Sequence, residues 1–312
     1  MNAIEVEHIS KVYGSRRVLD DISFIVKQES IHGFLGPNGA GKTTTMRIIT
    51  ELAKSSSGTV DIFSNGQKIH KTKLYQHIGF LLEEPPLYKD MTVLEYIRFV
   101  AKLRKIPQAD IQHCIDYAID ALDLSAVVNR SIENLSKGYK QRVGIAQAIV
   151  HRPKILILDE PTVGLDPHSV KEMRNLILNL KKEHTILISS HLLHEMSLIC
   201  DDITIISSGT ILKTGSMASL KKDLANKQEI HLVFKKVNET FYTELKQLEL
   251  FDSINISDCD EGVLVVLKPK DTGDYRNLLI KKSVELDVEL LEISKKEFSL
   301  EDLFLEVTES HD

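Results

Sequence analysis

The sequence is poor in cysteine, and the few cysteines that it has are far apart. Cys114, Cys200 and Cys259 are the three cysteines among 312 residues, and they form neither a CxxC pair nor a metal-ligand spacing. We therefore expect free thiols in a reducing compartment, and the pattern indicates neither a disulfide framework nor a zinc site.

Long apolar runs and an excess of basic residues are also missing. No stretch approaches the ~20 apolar residues that a membrane-spanning helix needs, and the first residues, MNAIEVEHIS, lack the apolar region of a signal peptide. The formal net charge is -6, and no basic stripe is present, which argues against nucleic acid as a partner. Any role at a membrane is therefore expected to be that of a peripheral subunit.

The chain has the composition of a globular protein with two domains. Hydrophobic residues make up 42% of it and charged residues 27%, which leaves ample material for a core. Strand patterns alternate with helical patterns over the first two thirds, which predicts a parallel sheet covered by helices on both faces. A lysine-rich segment near residue 220 predicts a boundary, with one domain over 1–217 and another over 218–312.

The segment after this boundary has its own order of elements. Residues 229–294 read as strand, helix, strand, strand, helix and strand, which is the ferredoxin-like pattern and predicts a small α+β domain. The residues SLEDLFLEVT predict a closing helix over 299–308.

The segment 36–44, GPNGAGKTT, fits the pattern G-x-x-x-x-G-K-[ST]. It follows a predicted strand and precedes a predicted helix, which is the context that this phosphate-binding motif requires. Backbone N–H groups and the helix N-terminus would face the phosphates, Lys42 would pair with the β- and γ-phosphates, and the Thr43 hydroxyl would ligate Mg²⁺. The predicted ATP-binding residues are Gly36, Pro37, Asn38, Gly39, Ala40, Gly41, Lys42, Thr43 and Thr44.

Two further segments carry candidate site residues. Asp159 and Glu160 end the apolar segment ILILDE, at the edge of a parallel sheet where ligands bind. Asp159 is predicted as an outer or water-mediated partner of Mg²⁺, and Glu160 as the general base that polarises a water. In LSKGYKQR, Ser136 and Gly138 precede a helix that Ser136 can cap. From these residues alone, a further role in anion binding stays open.

Together these segments resemble the nucleotide-binding subunit of an ATP-binding cassette transporter. LSKGY resembles the LSGGQ signature, TVGLD the D-loop, SSHLLHE the switch-histidine segment, and KVYG the adenine-stacking loop. The resemblance covers residues 4–217, with six motifs in the order of the family. Residues 218–312 resemble the C-terminal extension of the drug-resistance, bacteriocin-immunity and gliding-motility ATPases of the ABC-2 type.

The resemblance implies a fold and a set of roles. The fold would be an α/β P-loop NTPase with a RecA-like core sheet, an N-terminal antiparallel β part and a helical signature subdomain. Tyr13 would stack on adenine, Asp166 would be the D-loop acid at the nucleotide, and His191 would hold the γ-phosphate and the attacking water. Ser136 and Gly138 would contact the γ-phosphate held by a second copy, so a head-to-tail dimer with two ATPs would be the working unit.

The chain departs from the family pattern at two places. The Q-loop position holds Glu83 instead of glutamine. A carboxylate still ligates Mg²⁺, but the neutral hydrogen bonding of a glutamine is lost. In the signature, Lys137 and Tyr139 replace a glycine and a glutamine. ABC-2-type relatives tolerate both replacements, so Ser136 and Gly138 are kept as predicted contacts.

The function implied by the resemblance is an ATPase that energises a membrane transporter, with the direction of an exporter. Its transmembrane permease subunits would be separate chains, and it would sit peripherally on the cytoplasmic side of the membrane, docked through segment 83–96. One alternative is a soluble mechanical or regulatory ATPase of the same superfamily. The single cassette and the short helices between Thr43 and Asp159 disfavour ribosome-acting and DNA-acting members. A P-loop kinase would not explain LSKGY and SSH together.

Overall fold

The structure is a computed structural model that describes residues 1–64, 66–225, 228–296 and 302. The chain divides into two compact units, Met1–Met217 and Ala218–Asp312. The predicted closing helix over 299–308 lies outside the described residues, apart from its residue 302.

The strands of the larger unit form two sheets. In chain order they are β1 (Asn2–Tyr13), β2 (Arg16–Lys27), β3 (Ile31–Leu35), β4 (Ser57–Ser64), β5 (Gln67–Lys68), β6 (Ile78–Leu81), β7 (Ile155–Leu158), β8 (Thr185–Ser190), β9 (Asp202–Ser207) and β10 (Thr210–Ser216). One sheet is antiparallel with the order β2-β1-β4-β5. The other has the order β10-β9-β3-β8-β7-β6, and its neighbours are parallel except for β9 and β10.

The helices of the larger unit connect these strands. They are α1 (Lys42–Ile49), α2 (Leu74–His77), α3 (Val93–Leu103), α4 (Ile111–Ala121), α5 (Lys137–Ile149), α6 (Pro167–Leu180) and α7 (Leu193–Ser197), and α8 (Met217–Ala225) begins at the boundary of the unit. Helices α3, α4 and α5 contact one another between β6 and β7 and form the predicted helical subdomain. Among the residues described, no helix has both the length and the apolar character needed to cross a membrane.

Local sequence accounts for where these helices begin. The Thr92 hydroxyl accepts a hydrogen bond from the Glu95 N–H, and the Glu95 carboxylate accepts one from the Thr92 N–H, which is a capping box at the start of α3. The buried residues of α3 recur at helical spacing and turn one face of the helix inward. They are Val93, Tyr96, Ile97, Val100 and Ala101.

The parallel sheet brings three strand ends to one edge. Strand β8 lies between β3 and β7, and all the residues of these three strands are buried. Strand β7, with the sequence ILIL, is continuously apolar, as is typical of a parallel strand covered on both faces. Because the strands are parallel, the loop after β3, Asp159 after β7 and His191 after β8 meet at the edge where α/β proteins bind ligands. The predicted α/β core is confirmed.

A tight hairpin of β9 and β10 forms the edge of this sheet opposite β6. Strands β9 and β10 are joined by Ser208 and Gly209, whose φ angles are 48° and 82°. Two consecutive positive φ angles are typical of the type I′ turn that matches strand twist. The segment ITIISSGTILKTG predicts a hairpin that turns at these two residues, and the structure confirms it.

Strand β6 was not predicted from the sequence. Its four residues, IGFL, pair with β7 at the edge of the parallel sheet. A Cβ atom at Gly79 would lie 2.1 Å from the carbonyl oxygen of Ala148, so helix α5 passes directly over the strand. The strand forms because α5 covers it, which is a long-range effect that a run of four residues does not reveal.

The smaller unit has the predicted ferredoxin-like arrangement. Its elements are β11 (Glu229–Phe234), α9 (Glu239–Gln247), β12 (Phe251–Cys259), β13 (Gly262–Pro269), α10 (Arg276–Glu285) and β14 (Leu290–Lys296). The sheet has the order β12-β13-β11-β14, and every neighbouring pair is antiparallel. Each helix thus connects two strands that have a third strand between them, as the split β-α-β pattern requires.

Each unit encloses apolar side chains of its own, which makes independent folding of the larger unit testable. The buried cluster around Phe34 and Met46 draws on residues between 3 and 211, whereas the cluster around Phe234 and Phe241 draws on residues between 230 and 293. We expect a truncated chain ending at Met217 to fold and to bind ATP with an affinity within about threefold of the full chain. Calorimetric titration of both chains measures this. A truncated chain with native circular dichroism but no ATP affinity would contradict the division.

Candidate functional site

The loop after β3 can be made only with glycine at key positions. A Cβ atom at Gly36 would lie 2.3 Å from the carbonyl oxygen of Ile206, which is backbone and cannot move aside. Gly41 has a φ of 110°, and a Cβ atom there would lie 2.5 Å from Leu19 Cδ2. Gly39 is left-handed as well, with a φ of 83°. The glycines of the pattern are therefore required because the loop packs closely against β9 and β2 before the chain enters α1.

The Lys42 ammonium is held inside this loop. It donates hydrogen bonds to the carbonyl oxygens of Gly36 at 2.8 Å and Pro37 at 3.1 Å. It also lies 3.1 Å from the Glu160 Oε1 atom, and the two side chains are each 6% exposed. The cation is therefore fully engaged within the protein, and a bound phosphate has to replace these partners.

Glu160 lies between the Lys42 ammonium and the His191 imidazole. Its Oε2 atom is 2.9 Å from His191 Nδ1. Its φ of 47° is uncommon for a residue other than glycine, and its N–H donates to the Ser189 hydroxyl at 2.9 Å. The structure thus brings together Lys42, Glu160 and His191. Glu160 and His191 follow strands β7 and β8, and Lys42 begins α1 after the loop from β3.

Asp159 is fully buried beside the phosphate loop. Its Oδ1 atom accepts a hydrogen bond from the Ser189 hydroxyl at 2.6 Å, and its Oδ2 atom has no hydrogen-bond partner among the described residues. Burial raises the pKa of this carboxyl, while the hydroxyls of Ser189 and Thr43 act in the opposite direction. A buried carboxylate oxygen without a partner, next to the Thr43 hydroxyl, suits a hard cation that takes oxygen ligands.

The phosphate loop faces a cavity of about 400 Å³. The residues that line it are Arg16, Val18, Asn38, Gly39, Gly41, Lys42, Thr43, Thr44, Glu83, Glu160 and Val163. Of the predicted loop residues, Gly36, Pro37 and Ala40 do not line it; Gly36 and Ala40 are buried, and Pro37 is exposed outside the cavity. Arg16 and Val18 were not predicted as lining residues. The KVYG pattern indicates the turn that precedes them but not the direction of their side chains.

The predicted adenine-stacking residue Tyr13 lies at the end of β1. Its side chain is 49% exposed, and the Lys11 ammonium lies 4.5 Å from the centroid of its ring. Tyr13 is paired across the β1–β2 hairpin with Arg16, which lines the cavity. An exposed ring beside the cavity is available for stacking, although Tyr13 itself does not line the cavity.

Glu83 lies where the Q-loop position was predicted. It lines the cavity, and the adjacent Glu84 does not. The backbone carbonyl of Glu83 accepts a hydrogen bond from the buried Gln141 side chain at 3.1 Å. The segment after β6 is therefore tied directly to the helix that follows LSKGY.

Ser136 and Gly138 lie outside the cavity of their own chain. The Ser136 hydroxyl caps α5 by accepting the N–H of Tyr139 at 3.4 Å, as the sequence predicted. Lys137 extends over Gly164, because a Cβ atom at Gly164 would lie 2.3 Å from its Nζ atom. The N-terminus of α5 thus packs beside the segment after Glu160 and does not face its own phosphate loop.

Asp166 also lies away from the cavity. Its carboxylate caps α6, accepting hydrogen bonds from the N–H groups of His168 at 3.1 Å and Ser169 at 3.0 Å. It also accepts the Ser169 hydroxyl at 2.6 Å. These bonds from Ser169 lower the pKa of the Asp166 carboxyl. Within one chain, Asp166 shapes the turn that leads into α6 and does not face the phosphate loop.

Comparison with known proteins identifies the family. Residues 19–163 match the model of the ABC transporter family. The bacitracin transport ATP-binding protein BcrA of Bacillus licheniformis is 36% identical over 306 residues, which cover 97% of this chain and 96% of that protein. The linearmycin resistance ATP-binding protein LnrL of Bacillus subtilis (strain 168) is 30% identical, with 98% of each chain covered.

Solved structures agree with these relatives. An ATP-binding subunit of an ABC transporter superposes with a TM-score of 0.62 at 28% identity, covering 71% of this chain and 92% of the other. The subunit cbiO1 from Clostridium perfringens, part of the ABC transporter complex cbiONQ, superposes with a TM-score of 0.64 at 29% identity, covering 71% and 91%. This chain belongs to the ATP-binding proteins of ABC transporters, the family that binds and hydrolyses ATP to power transport.

Proposed function

We propose that two copies of this chain together hydrolyse ATP, with Mg²⁺, and thereby drive an exporter whose membrane-spanning subunits are separate chains. One observation carries the proposal. Lys42, Glu160 and His191 converge at the phosphate loop, whereas Ser136 and Gly138 lie outside the cavity of their own chain. One chain therefore supplies the base and the phosphate cradle but not the signature turn that closes over the nucleotide.

The residues present suit a Mg²⁺ ion at the phosphates. Thr43 and Glu83 line the cavity, and the buried Asp159 carboxyl, which interacts with the Thr43 hydroxyl, has one oxygen without a hydrogen-bond partner among the described residues. We propose these three residues as its direct or water-mediated ligands. A Mg²⁺ ion held by these residues would neutralise the charge that develops on the phosphates during transfer.

The remaining steps belong to the side chains of the chain itself. Lys42 leaves the carbonyl oxygens of Gly36 and Pro37 and pairs with the β- and γ-phosphates. Glu160 accepts a proton from water as the water oxygen attacks the γ-phosphorus and the bond to the β-phosphate oxygen breaks. His191 holds the Glu160 carboxylate through its Nδ1 atom and orients it toward that water. ADP and phosphate are the products.

The second copy completes the site. The N-terminus of α5, with its Ser136 hydroxyl and free N–H groups, suits the γ-phosphate of an ATP held by the other copy. Tyr13 would stack on adenine from its exposed position at the rim of the cavity. Asp166 would act at the interface by holding the turn into α6, given that its carboxylate already accepts three hydrogen bonds.

The membrane partner is proposed from the relatives and from one exposed surface. Relatives that match nearly the whole chain are named for bacitracin transport and for linearmycin resistance, which supports the direction of an exporter. Tyr88 is 55% exposed and packs edge-on against Tyr96 and Phe99. This aromatic cluster lies in and beside segment 83–96, and we propose that a permease subunit docks there, on the cytoplasmic side of the membrane.

The substitution Lys42→Ala tests the phosphate cradle. We expect it to weaken ATP binding by about tenfold or more, because a charge-assisted hydrogen bond to phosphate is lost. Calorimetric titration of ATP measures the change. Lys68→Ala is the control, since Lys68 is exposed and pairs with Asp61 away from the cavity. Unchanged ATP affinity in a folded Lys42→Ala protein would refute the assignment of the loop.

The substitution Glu160→Gln tests the base and the dimer together. We expect hydrolysis to fall by about a hundredfold or more, because no carboxylate remains to accept the proton. ATP affinity should stay the same or rise, because the Glu160 carboxylate would no longer compete with the phosphates for the Lys42 ammonium. Light scattering should then detect an ATP-dependent dimer.

Glu84→Gln is the matched control, because Glu84 is exposed and does not line the cavity. Hydrolysis at the wild-type rate in Glu160→Gln would exclude Glu160 as the base. A monomer at saturating ATP would contradict the dimer.

A further inference from the structure

Arg16 is a cation in the ATP cavity that the motifs do not account for. Among the described residues that line this cavity, the charged ones are Arg16, Lys42, Glu83 and Glu160. Lys42 is already bound to two carbonyl oxygens and to Glu160. The Arg16 guanidinium has neither an ion pair nor a hydrogen bond within the described ranges, so it is the cation that can meet an incoming anion without first breaking a contact.

The neighbouring arginine differs in this respect. The Arg17 guanidinium lies 2.6 Å from the Asp20 Oδ1 atom, and it does not line the cavity. Successive side chains of a strand point to opposite faces, and both arginines are in β2. Two adjacent and chemically identical side chains are therefore placed in different environments, one at the cavity and the other in a surface ion pair.

The backbone that carries Arg16 is fixed against the phosphate loop. Arg16 pairs with Tyr13 across the hairpin, and the turn between them uses Gly14 at a φ of 59°. Further along β2, the carbonyl oxygen of Val18 would lie 3.2 Å from a Cβ atom at Gly41, so strand and loop are in close contact. The start of β2 thus keeps the guanidinium beside the phosphate cradle.

We propose that Arg16 is a nucleotide-binding residue whose guanidinium binds the phosphate chain of ATP in this cavity. The inference deepens the proposed function, because it rests on ATP lying in this cavity. A guanidinium is always charged, and its planar fork matches the oxygens of phosphate groups. Two cations and two carboxylates line the cavity, so their formal charges cancel and each cation matters for a polyanion such as ATP.

The consequence is that Arg16 contributes to affinity only for nucleotides that carry phosphate groups. Arg16 contributes to the binding of ATP and ADP, because the start of β2 holds its guanidinium beside the phosphate cradle. It contributes nothing to the binding of adenosine, which has no phosphate. This pattern distinguishes a phosphate contact from a contact with the base or the ribose.

Calorimetric titration of the full chain with ATP, ADP and adenosine tests the proposal. In Arg16→Ala we expect affinity for ATP and ADP to fall by about tenfold, which is the loss of one hydrogen bond to a charged group. Affinity for adenosine should stay unchanged, and Arg16→Lys should recover part of the loss. Arg17→Ala is the matched control and should bind ATP within about twofold of the wild type, since Arg17 pairs with Asp20.

Two outcomes would overturn the proposal. ATP affinity in Arg16→Ala equal to that of the wild type would remove Arg16 from the site, and an equal loss for adenosine and ATP would assign it to the base instead. Thermal melts of the variants, which change one exposed side chain, establish that each is folded. Wild-type protein without ATP affinity would overturn the proposed function as well, whereas loss in Lys42→Ala with no loss in Arg16→Ala would overturn the Arg16 assignment alone.

Discussion

The Lys42 ammonium and the Glu160 carboxylate lie 3.1 Å apart in a site where each side chain is 6% exposed. Taking two charges out of water costs several kcal/mol per ion unless they are paired, so each makes the burial of the other tolerable. The pair connects the loop after β3 to the end of β7. His191, which follows β8, contacts the same Glu160 carboxylate. In the proposed mechanism, the phosphates of ATP replace Glu160 as the partner of the Lys42 ammonium. Binding of ATP therefore also frees the Glu160 carboxylate to act as the base.

Much of this site could be predicted from the sequence, because its backbone is locally encoded. The glycines of segment 36–44 and the turn at Ser208 and Gly209 reflect backbone conformations that few other residues allow. The apolar strand β7 reflects burial on both faces of the sheet. The ferredoxin-like unit followed from the order of its elements. Arg16 and strand β6 did not follow, since both depend on contacts with segments that are distant in sequence. The role of Asp166 as a helix cap was not predicted either, because an acid in this turn is compatible with capping a helix and with a role at the nucleotide.

The two halves of the proposed composite site are connected within one chain. The Gln141 side chain of α5 donates to the backbone carbonyl of Glu83, and a Cβ atom at Gly144 would lie 2.6 Å from Leu81 Cδ1 and 2.9 Å from Pro85 Cβ. The helix that starts at the signature turn therefore packs tightly against the segment that holds Glu83 and leads to the exposed aromatic cluster. In the proposed dimer, a shift of the signature turn would reach the proposed permease-docking surface through this one helix.

The central claim is that a second copy of the chain completes the nucleotide site. It is tested most directly by an experimental structure of the Glu160→Gln protein with ATP and Mg²⁺ bound. The account predicts two chains head to tail, with the γ-phosphate oxygens of each ATP within hydrogen-bond distance of the Ser136 hydroxyl and the Gly138 N–H of the other chain. A single chain that holds ATP with every phosphate contact supplied by its own residues would contradict it.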